Sequence, residues 1–229
     1  MRKTGCLPTA QKWVSLYTPV LGGHKFTWLS AGTFHACAIA TDGKTYCWGS
    51  GSNGKRGNGS TDVALEPEEV ATDVAFASVY AGRQHTCALT AEGEAWCWGA
   101  NRSRQLGDGS NTTRTKPVQV KTDLRFTSLA LGGTHTCGLT ASGKVYCWGS
   151  NNNGKLGIGE SGGTYSEPRE VIQVDNFVAI DAGNDHTCGK TADGAVYCWG
   201  VGASGRLGHG TVADRNAPDR VVGFGTISQ

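Results

Sequence analysis

A self-similar period of about fifty residues constrains this chain more than anything else in it. Four segments align: AGTFHACAIATDGKTYCWG (31–49), AGRQHTCALTAEGEAWCWG (81–99), GGTHTCGLTASGKVYCWG (132–149) and AGNDHTCGKTADGAVYCWG (182–200). Their CWG tripeptides begin at Cys47, Cys97, Cys147 and Cys198. A glycine-rich tail follows each one, GSNGKRGNG (51–59), NRSRQLGDG (101–109), NNNGKLGIG (151–159) and GASGRLGHG (202–210). A proline segment comes next: EPEEV (66–70), KPVQV (116–120), EPREV (167–171) and APDRV (217–221).

Within each unit, short runs alternate apolar and polar residues and are rich in β-branched and aromatic types, the pattern of half-buried strands. The reading is four strands per unit: one after the proline, one through FASVYAG or FTSLALG, one through HTCALT and one through VYCWG. Four strands in about fifty residues is the arithmetic of a β-propeller blade. A lone blade leaves its faces uncovered, so neighbours must stack around an axis. The expected fold class is therefore all-β, a propeller-type array of four-stranded antiparallel blades, short or incomplete as a ring. Its divisions are an N-terminal extension, 1–18, and a repeat domain, 19–229. Within the domain fall units 19–66, 67–116, 117–167 and 168–217 and a partial fifth unit, 218–229.

The nine cysteines sharpen this. Each unit carries one Cys-x9-Cys pair: Cys37/Cys47, Cys87/Cys97, Cys137/Cys147 and Cys188/Cys198, with Cys6 left over. Cys137 and Cys147 lie symmetrically about Ser142, so a three-residue loop of Ala141, Ser142 and Gly143 sets them opposite each other. Such a loop wants a left-handed third residue, supplied here by glycine. Facing positions on antiparallel strands are close enough for a disulfide. The competing reading adds His35, His85, His135 or His186 to each cysteine pair as a metal site. That offers three ligands, with an x9 spacing unlike that of structural zinc, so four disulfides and no metal are expected. An oxidising setting follows: extracellular, periplasmic or cell surface. No apolar stretch follows Met1-Arg2-Lys3, so no signal peptide is read in this chain. Together with the disulfides, that reads as a segment of a longer exported protein, in which Cys6 is a severed or intermolecular pairing.

Composition excludes several function classes. Formal net charge is +2, with basic residues scattered rather than clustered, so no nucleic-acid surface is expected. No run of 18 apolar residues exists to span a membrane. There is no GxSxG elbow, no HExxH and no phosphate loop before a helix. Asp42, Glu92 and Asp193 fall in hairpin turns, where acidic residues are ordinary. Neither an enzyme nor a cofactor is expected. The histidines and Trp48, Trp98, Trp148 and Trp199 recur in identical context and read as structural. Trp13 and Trp28 stand outside the repeat and are the candidates for stacking on a carbohydrate.

These motifs resemble the regulator-of-chromosome-condensation repeat family, with units of the form A/G-G-x-x-H-x-x-A-L-T-x-x-G-x-V-Y-x-W-G-x-N-x-x-G-Q-L-G. His135, Leu139, Thr140, Gly143, Val145, Tyr146, Trp148, Gly149, Asn151, Gly154, Leu156 and Gly157 fall on that pattern, and the resemblance covers about residues 19–229. The paired cysteines resemble its bacterial exported branch. The resemblance implies a seven-bladed ring, longer than this chain by more than two blades, leaving an open arc, a smaller closed ring or two paired chains. It also implies activities as different as nucleotide exchange on a small GTPase and β-lactamase inhibition, and a fold transmits neither. Arg56 departs from the pattern where Leu106, Leu156 and Leu207 stand, and Lys190 where Ile39, Leu89 and Leu139 stand.

Function is expected where a fixed scaffold carries varying loops. In the AGxxH loops the variable residues are Thr33 and Phe34, Arg83 and Gln84, Gly133 and Thr134, and Asn184 and Asp185, a rim suited to protein recognition. A second rim follows CWG, with Arg102 and Arg104 foremost. The expected partner is a protein of unspecified identity. The alternatives are self-assembly through open blade edges or Cys6, an extracellular glycan-binding or glycan-hydrolysing domain, and an exchange-factor-like regulator.

Overall fold

The computed structural model describes residues 19–223, which form four antiparallel sheets of four strands each. The first blade comprises β1 (Phe26–Ala31), β2 (His35–Ala40), β3 (Thr45–Ser50) and β4 (Val63–Glu69). The second has β5 (Ser78–Ala81), β6 (His85–Leu89), β7 (Ala95–Gly99) and β8 (Arg114–Gln119). The third has β9 (Phe126–Leu131), β10 (His135–Thr140), β11 (Val145–Ser150) and β12 (Thr164–Glu170). The fourth has β13 (Phe177–Ala182), β14 (His186–Thr191), β15 (Val196–Gly200) and β16 (Arg215–Arg220). Consecutive blades stack through their first strands, which line the axis.

The phase of the repeat differs from the sequence reading. Each proline strand pairs with the CWG strand before it and forms the outer edge of that sheet, as Tyr46 opposite Glu69 and Gly49 opposite Ala64 show. Proline has no N–H for a ladder, so Pro67, Pro117, Pro168 and Pro218 belong on an edge strand. The inner edge is already taken by the strand at the axis. The tails turn tightly, through 3-10 turns at Ser52–Gly54, Asn152–Gly154 and Ala203–Gly205, and return each chain segment to its own sheet. Sheet boundaries therefore fall after Glu69, Gln119, Glu170 and Arg220 rather than at residues 66, 116, 167 and 217. The start of the expected fifth unit, Pro218–Arg220, completes the fourth sheet. Residues 1–18, with Cys6 and Trp13, and residues 224–229 lie outside the described residues.

The hairpins follow the expected register. Leu139 faces Val145, Gly143 donates its N–H to the Thr140 carbonyl at 3.0 Å, and Gly143 has φ 80°. A Cβ at Gly143 would also meet the Asn176 backbone at 2.8 Å. This geometry brings Cys137 opposite Cys147 with Cα atoms 4.1 Å apart, and disulfides join Cys37–Cys47, Cys87–Cys97, Cys137–Cys147 and Cys188–Cys198.

The first three disulfides each lie in a seam between blades. Cys37, Ile39, Cys47 and Val70 of the first blade pack against Phe76, Val79, Ala88 and Trp98 of the second. The same arrangement joins Leu89 to Leu129 and Trp148, and Leu139 to Phe177 and Trp199. Trp98, Trp148 and Trp199 are fully buried. Truncating a buried aromatic of this kind typically costs about 3–5 kcal/mol. Among the described residues no blade covers the leading face of the first blade, where Leu29 is 65% exposed, or the trailing face of the fourth, where Lys190 is exposed. Within the chain the described residues thus form an open arc.

Arg56 is accommodated by a paired change. Its guanidinium is buried, contacts the Glu68 carboxylate and donates to the Asp62 carbonyl at 3.0 Å. Units two and three place Asn101 and Asn151 where the first unit has Gly51, and a Cβ on Gly51 would lie 2.9 Å from Arg56 Nε. The missing side chain leaves space beside the guanidinium; the fourth unit also has glycine there, Gly202, with Leu207 in place of Arg56.

Candidate functional site

A hydrogen-bonded relay crosses each seam. His35 Nε2 lies 2.7 Å from Thr86 Oγ1, and Thr86 donates its hydroxyl proton to the Lys55 carbonyl at 2.7 Å. Because the threonine hydrogen is committed to that carbonyl, the imidazole Nε2 must carry the proton it shares with Oγ1. The Trp98 indole N–H donates to the same Lys55 carbonyl at 3.0 Å. The next seam repeats this with His85, Thr136, the Gln105 carbonyl and Trp148. In the third, His135 meets Thr187 and Thr187 donates to the Lys155 carbonyl, while the buried Trp199 N–H has no partner among the described residues.

Burial, followed by the positive charge of Lys55, takes the His35 pKa from the ordinary 6.5 to about 3. Burial does the same to His85 and His135, with His35 adding to the effect on His85 and Lys155 on His135. These imidazoles are neutral, and each buried Nδ1 lacks a hydrogen-bond partner among the described residues. They are buried fasteners between blades. Their nitrogens are turned into the protein rather than toward a substrate.

The relay also fixes the loops above it. In a four-stranded antiparallel blade, the turn from the first to the second strand and the one from the third to the fourth leave at the same end. The AGxxH loops and the CWG tails are therefore two concentric parts of one surface, although they read as two rims in the sequence. Asn53 donates to Gln84 at 3.3 Å, and Lys155 donates to Asp185 at 2.6 Å, each joining a tail to the following blade's loop.

The sequence-predicted residues come together at this end. The loop backbones surround a cavity of about 350 Å³ at the axis, lined by Gly32, Gly82, Gly132 and Gly183 with Thr33, Arg83 and Asn184. Arg83 reaches from the second blade to the fourth and donates to Asn184 Oδ1 at 2.8 Å. Gly133 makes that span feasible, since a Cβ there would lie 2.3 Å from the same oxygen. Phe34 is 53% exposed. Thr33 and Arg102 are exposed, while Gln84, Thr134, Asp185 and Arg104 are half-buried. Arg104 holds φ 63° where the other three tails have glycine, a conformation side chains adopt at a cost of order 1–3 kcal/mol. Trp28 packs against the second blade, donating to the Val79 carbonyl at 2.7 Å and meeting Tyr80 edge-on.

Sequence reasoning missed one member of this surface. Lys55 is only 1% exposed, and its ammonium lies 5.3 Å from the centroid of the Phe34 ring. The sequence placed Lys55 in a glycine-rich tail, where a lysine reads as solvated. Alignment with Lys155, whose carboxylate partner is Asp185, is the one signal that could have flagged it.

A family model for the RCC1-like domain matches residues 3–229. Human WBSCR16 has a similar solved structure, with TM-score 0.82 and 23% identity over 91% of this chain and 56% of that one. Prp20p from Saccharomyces cerevisiae superposes with TM-score 0.81 and 22% identity over 91% of this chain and 53% of that one. A shorter stretch of 46 residues, 20% of this chain and 10% of the relative, is 46% identical to the ultraviolet-B receptor UVR8 of Arabidopsis thaliana. The chain thus spans about half the length of these structural relatives, and at these identities the structural likeness shows the fold.

Proposed function

Because the chain belongs to the RCC1-like domain family, we propose that it is a non-enzymatic, protein-binding propeller segment whose recognition surface is the loop-bearing end of the arc. One observation carries the reading: a scaffold nearly identical from blade to blade, held by disulfides and histidine relays, carries at a single end both sets of loops whose residues differ between blades. Phe34, Arg83, Thr134 and Asn184 occupy equivalent or adjacent loop positions and are chemically unlike one another. A rigid base with varied loops is the usual arrangement of a binding site on a repeat protein. An exposed aromatic beside arginines also matches the residue types that dominate protein interfaces. The relative Prp20p is itself described by its binding to Gsp1p and histones, which supports protein recognition as a use of this fold.

The four disulfides support an oxidising site of action for the folded chain, outside the cytosol. A test is to pan the disulfide-intact protein against a displayed random-peptide library. Enriched peptides are expected, with binding that weakens about tenfold or more in the double variant Phe34→Ser, Arg83→Ser, as loss of an interface anchor does. Peptides that bind the double variant as well as the parent would overturn it.

A further inference from the structure

The three inner seams carry the same side-chain position at the loop-bearing end, and they satisfy it differently. In the third seam, Lys155 donates to Asp185 across the blades at 2.6 Å and lies 3.5 Å from Thr134 of its own blade. In the second seam the position is Gln105, opposite Thr134, and no charge arises. In the first seam the position is Lys55, its own-blade neighbour is Phe34, and the residue standing where Asp185 stands is Gln84.

Lys55 is therefore a cation with the burial of Lys155 and without its carboxylate. Among the described residues its ammonium makes no hydrogen bond or ion pair, and its main companion is the Phe34 ring. Burial lowers its pKa from the ordinary lysine value. Burial has a different outcome at Asp185: alone it would raise that carboxyl, but the Lys155 hydrogen bond and charge offset it, leaving the pKa below the usual value. A charge largely withdrawn from water without a counter-charge is costly, and a ring quadrupole compensates only part of the cost; the Lys55 ammonium is not among the sealed, unpartnered nitrogens of the described residues, so it stays open to a ligand. The Phe34 ring near the Lys55 ammonium is itself half-exposed at the recognition surface, and Gln84, at the position equivalent to Asp185, accepts a hydrogen bond from Asn53 at 3.3 Å.

We propose that the first seam is a carboxylate socket, in which an aspartate or glutamate of a protein partner pairs with Lys55 between Phe34 and Gln84, as Asp185 pairs with Lys155 in the third seam. This rests on the reading of the loop-bearing end as a protein-recognition surface and adds the partner's chemistry. The partner segment carries an acidic residue to enter the seam, with an apolar neighbour to lie on Phe34. Arg83, one loop position away, adds positive potential at the entrance even while it donates to Asn184.

The experiment uses the peptides enriched on the disulfide-intact chain and two socket variants. Lys55→Met removes the cation, and Gln84→Asp fills the socket from within. Lys190→Met, on the exposed trailing face of the fourth blade, is the control for loss of one positive charge. Enriched peptides should share an Asp or Glu, and their affinity should fall about tenfold or more for Lys55→Met, for Gln84→Asp and for Asp→Asn or Glu→Gln in the peptide, as for a lost buried charge pair. Gln84→Asp should also raise the melting temperature, a readout that needs no ligand, while Lys190→Met leaves binding unchanged. Peptides that depend on Phe34 and Arg83 but lack an acidic residue, or that bind both socket variants at parental affinity, overturn the socket and leave the recognition surface standing. Binding that ignores Phe34 and Arg83 as well overturns both. Phosphate competing as strongly as the acidic peptides would show a general anion site and overturn the protein carboxylate as its occupant.

Discussion

The inner seams and the two outer faces are built from the same repeat, yet they differ at the positions that meet a neighbour. Thr86, Thr136 and Thr187 each face the preceding blade's histidine, whereas the first blade, with no blade before it among the described residues, has Ala36 there. Ile39, Leu89 and Leu139 are buried against the following blade, whereas the fourth blade has the exposed Lys190. At these two positions the departure falls where no neighbouring blade stands among the described residues. A repeat residue in this fold is chosen by the blade it packs on more than by the blade that carries it, which is how stability in stacked arrays comes to reside in interfaces.

Acid should break the seams before it touches the outer faces. His35, His85 and His135 have folded pKa values of about 3 against an ordinary 6.5, so the unfolded chain binds more protons than the folded one between those values. The stability this confers is complete above pH 6.5 and is lost progressively as pH falls towards 3. Three such groups shifted together predict global unfolding within that window, read by circular dichroism. His186 has no following threonine among the described residues; its pKa is lowered by burial and then Arg206, and it should titrate first by NMR. Simultaneous titration of all four would contradict the contrast.

The next largest effect separates two opposite changes at equivalent positions of the repeat. Leu139→Lys puts an unpaired charge into the third seam and should cost at least about 4 kcal/mol, enough to lose cooperative unfolding in denaturant. The reverse change on the outer face, Lys190→Leu, should alter stability by no more than about 0.5 kcal/mol. Equal costs would mean that the trailing face is covered.

Thr136→Val keeps shape and removes the relay, leaving the His85 Nε2 proton and one acceptance of the Gln105 carbonyl unmet. A loss of about 2–3 kcal/mol is expected, and Ala36→Thr should be nearly silent. Reduction of a single seam disulfide, by Cys87→Ala with Cys97→Ala, should cost about 2–3 kcal/mol in the chain-entropy model. The corresponding removal of Cys188 and Cys198 should cost no more, since it disturbs no following seam.

Much of this architecture was legible because its signals are local and periodic. The Cys-x9-Cys symmetry about a turn glycine is a ten-residue pattern, and strand alternation makes its register unambiguous. The ownership of the proline strand was harder to read. A strand between two units can pair backwards or forwards, and only the missing proline N–H, weighed against which edge is free, decides it. Lys190 and Arg56 were visible as departures, but their meanings differ: one lies on an uncovered face, and the other is buried against Glu68 in the space Gly51 leaves. The loop residues were visible as variable positions, while their union into one end required knowing which loops leave a blade together.

By itself the sequence determined the hairpin at the heart of each blade: its two strands, its register and its disulfide, all set by contacts local in the chain. The tertiary structure decided how blades meet. The histidine and threonine of a relay are about fifty residues apart in the chain, and the pairing of Lys155 with Asp185, or the lack of such a pairing at Lys55, exists only once two blades stack. Charge satisfaction depends on through-space neighbours and burial, and neither is written into the local pattern that builds a strand.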